Sequence, residues 1–206
     1  MFSKLSLNFL EQVKNFTMKK VFFIAIALVA AGLVYAFIPK AATGNNGQTT
    51  TADTKALEDK IQWMTWDEAV KANEKNKKKF FIDFYTDWCG WCKRMDNTTF
   101  ADPAVAKYMN ANFYNIKFNA EQKQEVVFQG TTFKWQEGGR NGVHMLAYEL
   151  LDGRLGYPSY VYLTPTYERI LISPGFKPAP DLQKELKFVA EDHYNTTSWE
   201  QFKNSN

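Results

Sequence analysis

Cysteine and histidine are scarce in this sequence of 206 residues, which contains two of each. The histidines, His144 and His193, lie far apart and far downstream of the cysteines, Cys89 and Cys92. A structural zinc site needs about four ligands, and its cysteines and histidines follow recognisable spacings. We therefore expect no metal site, although half of a copper or zinc site stays open as an alternative use of the cysteine pair.

The sequence also lacks a large surplus of charge on its main part. The formal net charge is +3, and residues 1–40 account for it with five lysines and one glutamate. The rest of the chain holds 20 basic and 21 acidic residues. A nucleic-acid-binding face requires clustered lysines and arginines, so we expect no nucleic-acid partner.

Only one apolar run, residues 21–38, is long enough to cross a membrane. Its length falls within the roughly 17–25 residues of a membrane helix and exceeds the 7–15 apolar residues of a usual signal peptide. Lys19 and Lys20 precede the run, so the positive-inside rule places residues 1–20 in the cytoplasm. We predict a transmembrane anchor at 21–38; a cleaved signal, with translation from Met18, is the alternative.

The part that follows divides into a linker and a folded domain. Residues 39–56 are rich in Thr, Gly and Asn without apolar periodicity, which indicates a flexible linker. Residues 57–206 form the predicted domain, on the periplasmic side of an inner membrane, where disulfides persist.

Segments typical of strands and helices alternate along this domain. The apolar run at residues 80–86 is typical of a strand in the buried centre of a sheet. Helices are expected from Asp67, from the cysteine pair, after Pro103 and from Val143, and a hairpin is expected about Gln129 and Gly130. Two late strands precede the last helix. The pattern predicts an α/β fold, with a mixed sheet covered by helices on both faces.

The two cysteines stand two residues apart, in the sequence FFIDFYTDWCGWCK. A structural disulfide there would close a very short loop and restrict the unfolded chain little. A redox pair fits better: with a helix starting at the motif, Cys89 lies at the helix N-terminus, where the helix dipole stabilises the attacking thiolate. Cys92, one turn further, can resolve the mixed disulfide. Asp83, in the apolar strand, is the candidate proton acceptor, because burial raises the pKa of a carboxyl group.

The segment IDFYTDWCGWCK resembles the thioredoxin family, and more precisely its periplasmic thiol:disulfide interchange proteins with a Cys-Gly-Trp-Cys centre. The resemblance covers about residues 60–194. It implies a thioredoxin-like fold, with Lys117 near the buried acid and Pro158 as the family's cis-proline. Gly175 matches the glycine that helps form the substrate groove.

Three features depart from the pattern of thioredoxin itself. Trp91 stands where thioredoxin has proline, and bulky Tyr157 precedes Pro158. The stretch before Pro158 is longer than the family core requires, which predicts an inserted hairpin at about residues 121–139.

Lys93 is expected to favour the thiolate modestly. The predicted substrate-binding residues are Trp88, Gly90, Trp91, Tyr157, Pro158 and Gly175.

The resemblance implies a thiol–disulfide oxidoreductase that acts on extracytoplasmic proteins. We expect it to work as a reductant, because Asp83 and Lys93 resemble the surroundings of reducing family members. No bound cofactor is expected, since the cysteine pair itself carries two electrons, but a membrane or periplasmic redox partner must reset it. The alternatives are a disulfide oxidase or isomerase, and a non-enzymatic module that binds peptides or metal.

Overall fold

The computed structural model describes residues 59–139 and 141–205. The predicted segments 1–20, 21–38 and 39–56 all lie outside the described residues, so the predicted membrane anchor and linker stay predictions. Within the described part of the chain, no helix has both the length and the apolar character that a membrane crossing requires.

The domain contains a five-stranded sheet, two short hairpin-like sheets and six α-helices in its described part. The strands are β1 (Trp63–Met64), β2 (Lys79–Tyr85), β3 (Phe113–Asn119), β4 (Val126–Phe128), β5 (Thr131–Phe133), β6 (Trp135–Gln136), β7 (Val143–His144), β8 (Ser159–Leu163) and β9 (Arg169–Pro174). The helices are α1 (Trp66–Lys75), α2 (Gly90–Asn97), α3 (Pro103–Asn112), α4 (Met145–Leu150), α5 (Ala179–Ala190) and α6 (Trp199–Asn204), with 3₁₀ turns at Thr99–Ala101 and His193–Asn195.

The main sheet has the strand order β1-β3-β2-β8-β9. β3 runs parallel to β1 and β2, whereas β8 is antiparallel to both β2 and β9. The prediction of a mixed sheet with a late antiparallel part is therefore confirmed. In the central register, Asp83 of β2 stands opposite Lys117 of β3 on one side and Tyr160 of β8 on the other.

Helices cover both faces of this sheet, as the α/β pattern predicted. On one face, buried residues of α1 and α4 pack against Phe80, Ile82 and Phe84 of β2. On the other face, buried residues of α2, α3 and α5 pack against Phe81. Because successive strand residues point to opposite faces, Asp83 shares the face of Phe81, beneath α2.

Local capping explains where the helices begin. Thr65 caps α1, accepting the N–H of Glu68, while the Glu68 carboxylate accepts the Thr65 N–H. The helix therefore starts at Trp66 rather than at the predicted Asp67. Asp102 caps α3 and Pro103 occupies its first turn, as expected, because proline tolerates the first helical turn.

The inserted segment is larger than the predicted hairpin at 121–139. The turn at Gln129 and Gly130 joins β4 to β5, and both residues have positive φ, as a tight hairpin turn requires. A second pair, β6 with β7, extends the insertion to His144. The helix expected from Val143 therefore starts at Met145, because Val143 and His144 pair with β6 and the His144 ring accepts the Leu146 N–H as the helix cap.

Candidate active site at the Cys89–Cys92 pair

Cys89 and Cys92 form a disulfide at the start of α2, directly after the end of β2. Cys89 is the N-cap residue, and its Sγ accepts the backbone N–H of Cys92 at 3.1 Å. The side chains are nearly buried, with exposed fractions of 4% for Cys89 and 2% for Cys92. The predicted position of Cys89 at the helix N-terminus is confirmed. In the reduced form the same N–H and the helix dipole would stabilise a Cys89 thiolate.

Asp83 is buried, with an exposed fraction of 1%, as predicted from its apolar neighbours. Lys117 Nζ lies 2.7 Å from its Oδ2, and no other hydrogen-bonding partner of this carboxylate occurs among the described residues. Burial raises the pKa of Asp83 to about 6, although the charge of Lys117 acts in the opposite direction. A carboxyl group with this pKa can exchange a proton near neutral pH.

Lys117 has a second carboxylate partner, Asp96 of α2, which sequence reasoning missed. The ammonium group also lies 4.9–5.2 Å from the ring centres of Trp63, Tyr85 and Phe100. Burial lowers the pKa of Lys117, but the two carboxylates outweigh this effect and the net pKa is raised. Helical periodicity could have indicated Asp96, since residues seven apart lie on the same side of a helix and Cys89 begins this one.

The Tyr157–Pro158 peptide bond is cis, as the family resemblance implied. Pro158 is buried, and its carbonyl accepts the Gly175 N–H at 2.8 Å. Gly175 has φ +89°, a backbone conformation that favours glycine. The centre of the Tyr157 ring lies 6.2 Å from that of Trp88, so the residue before Pro158 contacts the residue before Cys89.

Two exposed tryptophans flank the disulfide, with exposed fractions of 59% for Trp88 and 55% for Trp91. Gly90 lies between them as the first residue of α2, and an added Cβ there would meet no atom within 4 Å. Lys93 is exposed and forms no ion pair in the described part of the chain. Ring contacts link this motif to two other loops: Trp88 to Tyr157, and Trp91 to Phe176, the neighbour of Gly175.

Partners of the two tryptophans were not predicted from the sequence. The Trp88 indole N–H donates to Glu121 Oε1 at 2.8 Å, and Asn141 of the insertion also donates to Glu121. The Trp91 ring lies 5.5 Å from Phe176 and 5.2 Å from the Arg94 guanidinium. Glu121 and Phe176 lie far from the motif in sequence and become its neighbours only through the fold. Arg94, by contrast, lies three residues after Trp91 on α2, a spacing that places both side chains on one side of the helix.

The histidines contribute nothing to this centre. His144 is buried in the insertion, where its Nε2 lies 3.0 Å from the Gln124 carbonyl, and burial lowers its pKa. His193 is near Glu191. Within the described residues, no group of three or more His, Cys, Asp and Glu side chains is placed to hold a metal ion.

The mixed sheet, the cysteine pair at a helix N-terminus, the buried Asp83–Lys117 pair and the cis-proline together define a thioredoxin-like protein. The family model Thioredox_DsbH, described as "Protein of unknown function, DUF255", matches residues 50–204. The chain belongs to this family, and the resemblance read from the motif is confirmed.

Curated relatives match parts of the chain. The uncharacterized protein B0495.5 of Caenorhabditis elegans is 29% identical over 119 residues, which cover 57% of this chain and 14% of that protein. Human spermatogenesis-associated protein 20 is 22% identical over 60% of this chain and 14% of its own length. The thiol:disulfide interchange protein DsbD of Escherichia coli strain 536 is 40% identical over 62 residues, which cover 30% of this chain and 11% of DsbD. The chain thus spans about a seventh of the first of these relatives.

Similar solved structures include a putative disulphide-isomerase from Bacteroides thetaiotaomicron, with 28% identity and a TM-score of 0.47. That match covers 65% of this chain and 95% of the other. A structure titled "DsbH Oxidoreductase" has 17% identity and a TM-score of 0.46, and covers 72% of this chain and 95% of the other.

Proposed function

We propose that this chain is a thiol–disulfide oxidoreductase that reduces disulfides of extracytoplasmic proteins. The observation that carries the proposal is the near-buried Cys89–Cys92 pair at the N-terminus of α2, on the same side of the sheet as the buried Asp83. A merely structural crosslink requires neither a helix N-terminus next to its sulfur nor a buried carboxyl group whose pKa burial raises to about 6.

The reaction begins with the reduced pair. The Cys89 thiolate attacks one sulfur of a substrate disulfide, so that a Cys89–substrate bond forms, the substrate S–S bond breaks and one substrate thiolate leaves. The Cys92 N–H and the helix dipole stabilise the thiolate before the attack.

In the second step Cys92 loses its proton to Asp83 and attacks the Cys89 sulfur. The Cys89–Cys92 bond forms, the bond to the substrate breaks, and the second substrate thiolate leaves and takes up a proton. Two electrons have passed to the substrate. Lys117 supports this transfer by pairing with Asp83 when that residue is ionised. Tyr157 and Pro158, with Gly175 behind them, hold the substrate next to the disulfide.

A dithiol donor, which is a membrane or periplasmic redox partner, must reduce the Cys89–Cys92 disulfide again after each cycle. No bound cofactor takes part in this scheme. The reducing direction is supported by Asp83 and Lys93 beside the pair and by the similarity to DsbD, whose name describes thiol:disulfide interchange. The location is supported by lysines 19 and 20 before the apolar run 21–38. A disulfide oxidase or isomerase would use the same cysteines with a different redox potential.

Variants of the two cysteines test the proposal. With reduced full-length protein and a disulfide-containing substrate, Cys92→Ser should accumulate a covalent Cys89–substrate complex, because the resolving thiol is missing. Cys89→Ser should give no such complex and no reduction. Non-reducing electrophoresis and intact-mass measurement detect the complex. If both variants reduce the substrate as the wild type does, the enzyme proposal is wrong.

A peptide-binding module is the second candidate, favoured by the exposure of Trp88 and Trp91. Such a module would bind an unfolded polypeptide with the same affinity in the wild type and in Cys89→Ser, and would leave its disulfides intact. A metal-binding module would take up stoichiometric copper or zinc in the reduced form alone. Equilibrium binding measurements on both redox states separate these cases.

A further inference from the structure

Two aromatic pairs lie at the cysteine motif, one at Trp88, the residue before Cys89, and one at Trp91, between the two cysteines. Trp88 and Tyr157 form the first pair, with ring centres 6.2 Å apart, and Trp91 and Phe176 form the second, at 5.5 Å. Both tryptophans are more than half exposed. An exposed apolar surface of this kind at a reactive centre indicates a site for a protein segment.

One charged side chain lies beside each aromatic pair, and the two charges have opposite signs. Glu121 accepts the Trp88 indole N–H at 2.8 Å, and its charge contributes to the raised pKa of Tyr157, which burial mainly sets. The Arg94 guanidinium lies 5.2 Å from the Trp91 ring and 5.1 Å from the Phe176 ring. The first pair is therefore flanked by an anion and the second by a cation.

Both charges are available to a partner. Among the ion pairs of the described residues, none involves Glu121 or Arg94. Their other contacts, with indole and amide N–H groups or aromatic rings, leave the charge uncompensated. Lys117 differs from both, because its charge is compensated by two carboxylate partners, Asp83 and Asp96.

We propose that Glu121 and Arg94 select and orient the substrate, so that the preferred partner is an extended cysteine-containing segment with apolar residues at the cysteine, a basic side chain on one side and an acidic side chain on the other. The basic side chain faces Glu121 and the acidic one faces Arg94. The inference rests on the proposed thiol–disulfide exchange and names its substrate class.

An extended segment suits the site for a backbone reason as well. β8 begins at Ser159, two residues after Tyr157, and no turn or loop hydrogen bond in the described part of the chain engages the Tyr157 backbone. A segment that adds to this position as a strand gains main-chain hydrogen bonds, while side chains along it reach the two charged flanks. Oppositely charged ends then distinguish one chain direction from the other.

Two synthetic peptides of identical composition test this inference. Each carries one cysteine linked by a disulfide to 5-thio-2-nitrobenzoate; one has acidic residues before the cysteine and basic residues after it, and the other has the reverse order. Reduced full-length protein is mixed with each peptide, and release of the yellow thionitrobenzoate is followed over a single turnover. We expect one order to react at least about threefold faster, as two exposed charge pairs allow.

The variants identify the charges responsible. Glu121→Gln keeps an oxygen acceptor for the Trp88 indole, and Arg94→Gln removes the cation; each should reduce the rate ratio, and together they should bring it to one. Arg94→Lys keeps the charge and should keep the preference. Lys107→Gln and Glu149→Gln, at exposed positions without ion pairs in the described residues, are the matched controls and should leave the ratio unchanged. Salt at 0.5 M should also reduce the ratio, because it screens exposed charges.

A ratio of one in the wild type, or a preference that survives in the Glu121→Gln, Arg94→Gln double variant, would overturn the inference. In both cases thionitrobenzoate is still released, so the proposed exchange stands. Failure of the exchange itself has a different signature, since the wild type would then release no more thionitrobenzoate than Cys89→Ser from either peptide.

Discussion

Asp83 illustrates how a single buried side chain can favour chemistry at the expense of stability. Its carboxyl group is almost inaccessible to solvent, and Lys117 compensates only part of the cost of burying the charge. The net effect is a pKa of about 6, above the ordinary 3.8. Between these two pH values the folded state binds more protons than the unfolded state, so the free energy of unfolding falls as the pH rises.

Asp83→Asn should therefore stabilise the oxidised protein above pH 6 by roughly 3 kcal/mol, which is the pKa difference converted to free energy. The gain should fade as the pH falls through the window and vanish below about pH 4, where Asp83 is neutral in both states. Urea denaturation at pH 4 and pH 7.5 measures it.

Asp87→Asn, which neutralises an exposed aspartate near the same site, is the control and should not stabilise the protein comparably at pH 7.5. At the same time Asp83→Asn should slow resolution of the mixed disulfide at neutral pH, because the proton acceptor for Cys92 is lost. Equal stability of wild type and Asp83→Asn at pH 7.5 would contradict the assignment of Asp83 as a buried, destabilising acid.

Asp96 acts on Asp83 through the shared Lys117. Its negative charge raises the pKa of Asp83, behind the larger effects of burial and Lys117. Asp96→Asn should lower the pKa of Asp83, because the nearby negative charge that raises it is lost. The pH range over which the free energy of unfolding falls should then end at a lower pH. An unchanged window would show that Asp96 has no influence on the buried pair.

At the scale of the elements, the turn between β6 and β7 places Gly142 where a side chain has no room. Gly142 has φ +72°, and a Cβ added there would overlap the Trp135 ring and lie 2.6 Å from the Gln136 carbonyl oxygen. Gly130, in the β4–β5 turn, also has positive φ, but an added Cβ would meet nothing within 4 Å. Substitution of each glycine by alanine therefore distinguishes the cost of backbone strain from the cost of steric overlap.

Gly142→Ala should lower the free energy of unfolding by at least about 2 kcal/mol, because strain and overlap add, whereas Gly130→Ala should cost about 1 kcal/mol from strain alone. Urea denaturation of both variants measures the difference. Amide hydrogen exchange in the insertion should increase more in Gly142→Ala. If both substitutions lower the free energy of unfolding equally, the Trp135 ring moves aside without an energetic cost.

The elements that the sequence predicted well are those that carry a strong local signal. The buried strand at residues 80–86, the helix at the cysteine pair and the turn at Gln129 and Gly130 all follow from apolar runs, helix capping or turn chemistry. The β6–β7 pair was missed because strands of two residues leave too short a pattern to recognise. The helix expected from Val143 was placed two residues early for the same reason.

At the site, the residues found from sequence lie close to the motif or match the family pattern. Lys117, Pro158 and Gly175 came from the resemblance. The structure has Lys117 next to Asp83 and a cis peptide bond before Pro158, whereas the role of Gly175 in a substrate groove stays a prediction. Glu121 was not found, because its contact with Trp88 arises only from the fold. Arg94 was not found either, although its position three residues after Trp91 on the same helix could have indicated their contact. Their roles in the reaction stay predictions.

At the scale of the whole molecule, the proposed topology places the catalytic domain on one side of a membrane and residues 1–20 on the other. Protease added to the outside of spheroplasts should digest the domain and leave residues 1–20 protected, and alkaline carbonate should leave the full-length chain in the membrane fraction. A shortened chain released into the periplasm would instead support the cleaved signal. Replacing Lys19 and Lys20 with Glu should weaken the orientation, because these lysines precede the apolar run.

The central claim is that the Cys89–Cys92 pair cycles as a reductant, and a redox titration of the full chain in detergent tests it most directly. Thiol alkylation and tryptophan fluorescence are followed across glutathione and dithiothreitol redox buffers. We predict one two-electron transition near or below about −250 mV, in the range of reducing thioredoxin-like centres. A transition at about −120 to −180 mV would contradict the reducing direction and favour an oxidase or isomerase, and a pair that never cycles would contradict the enzyme account altogether.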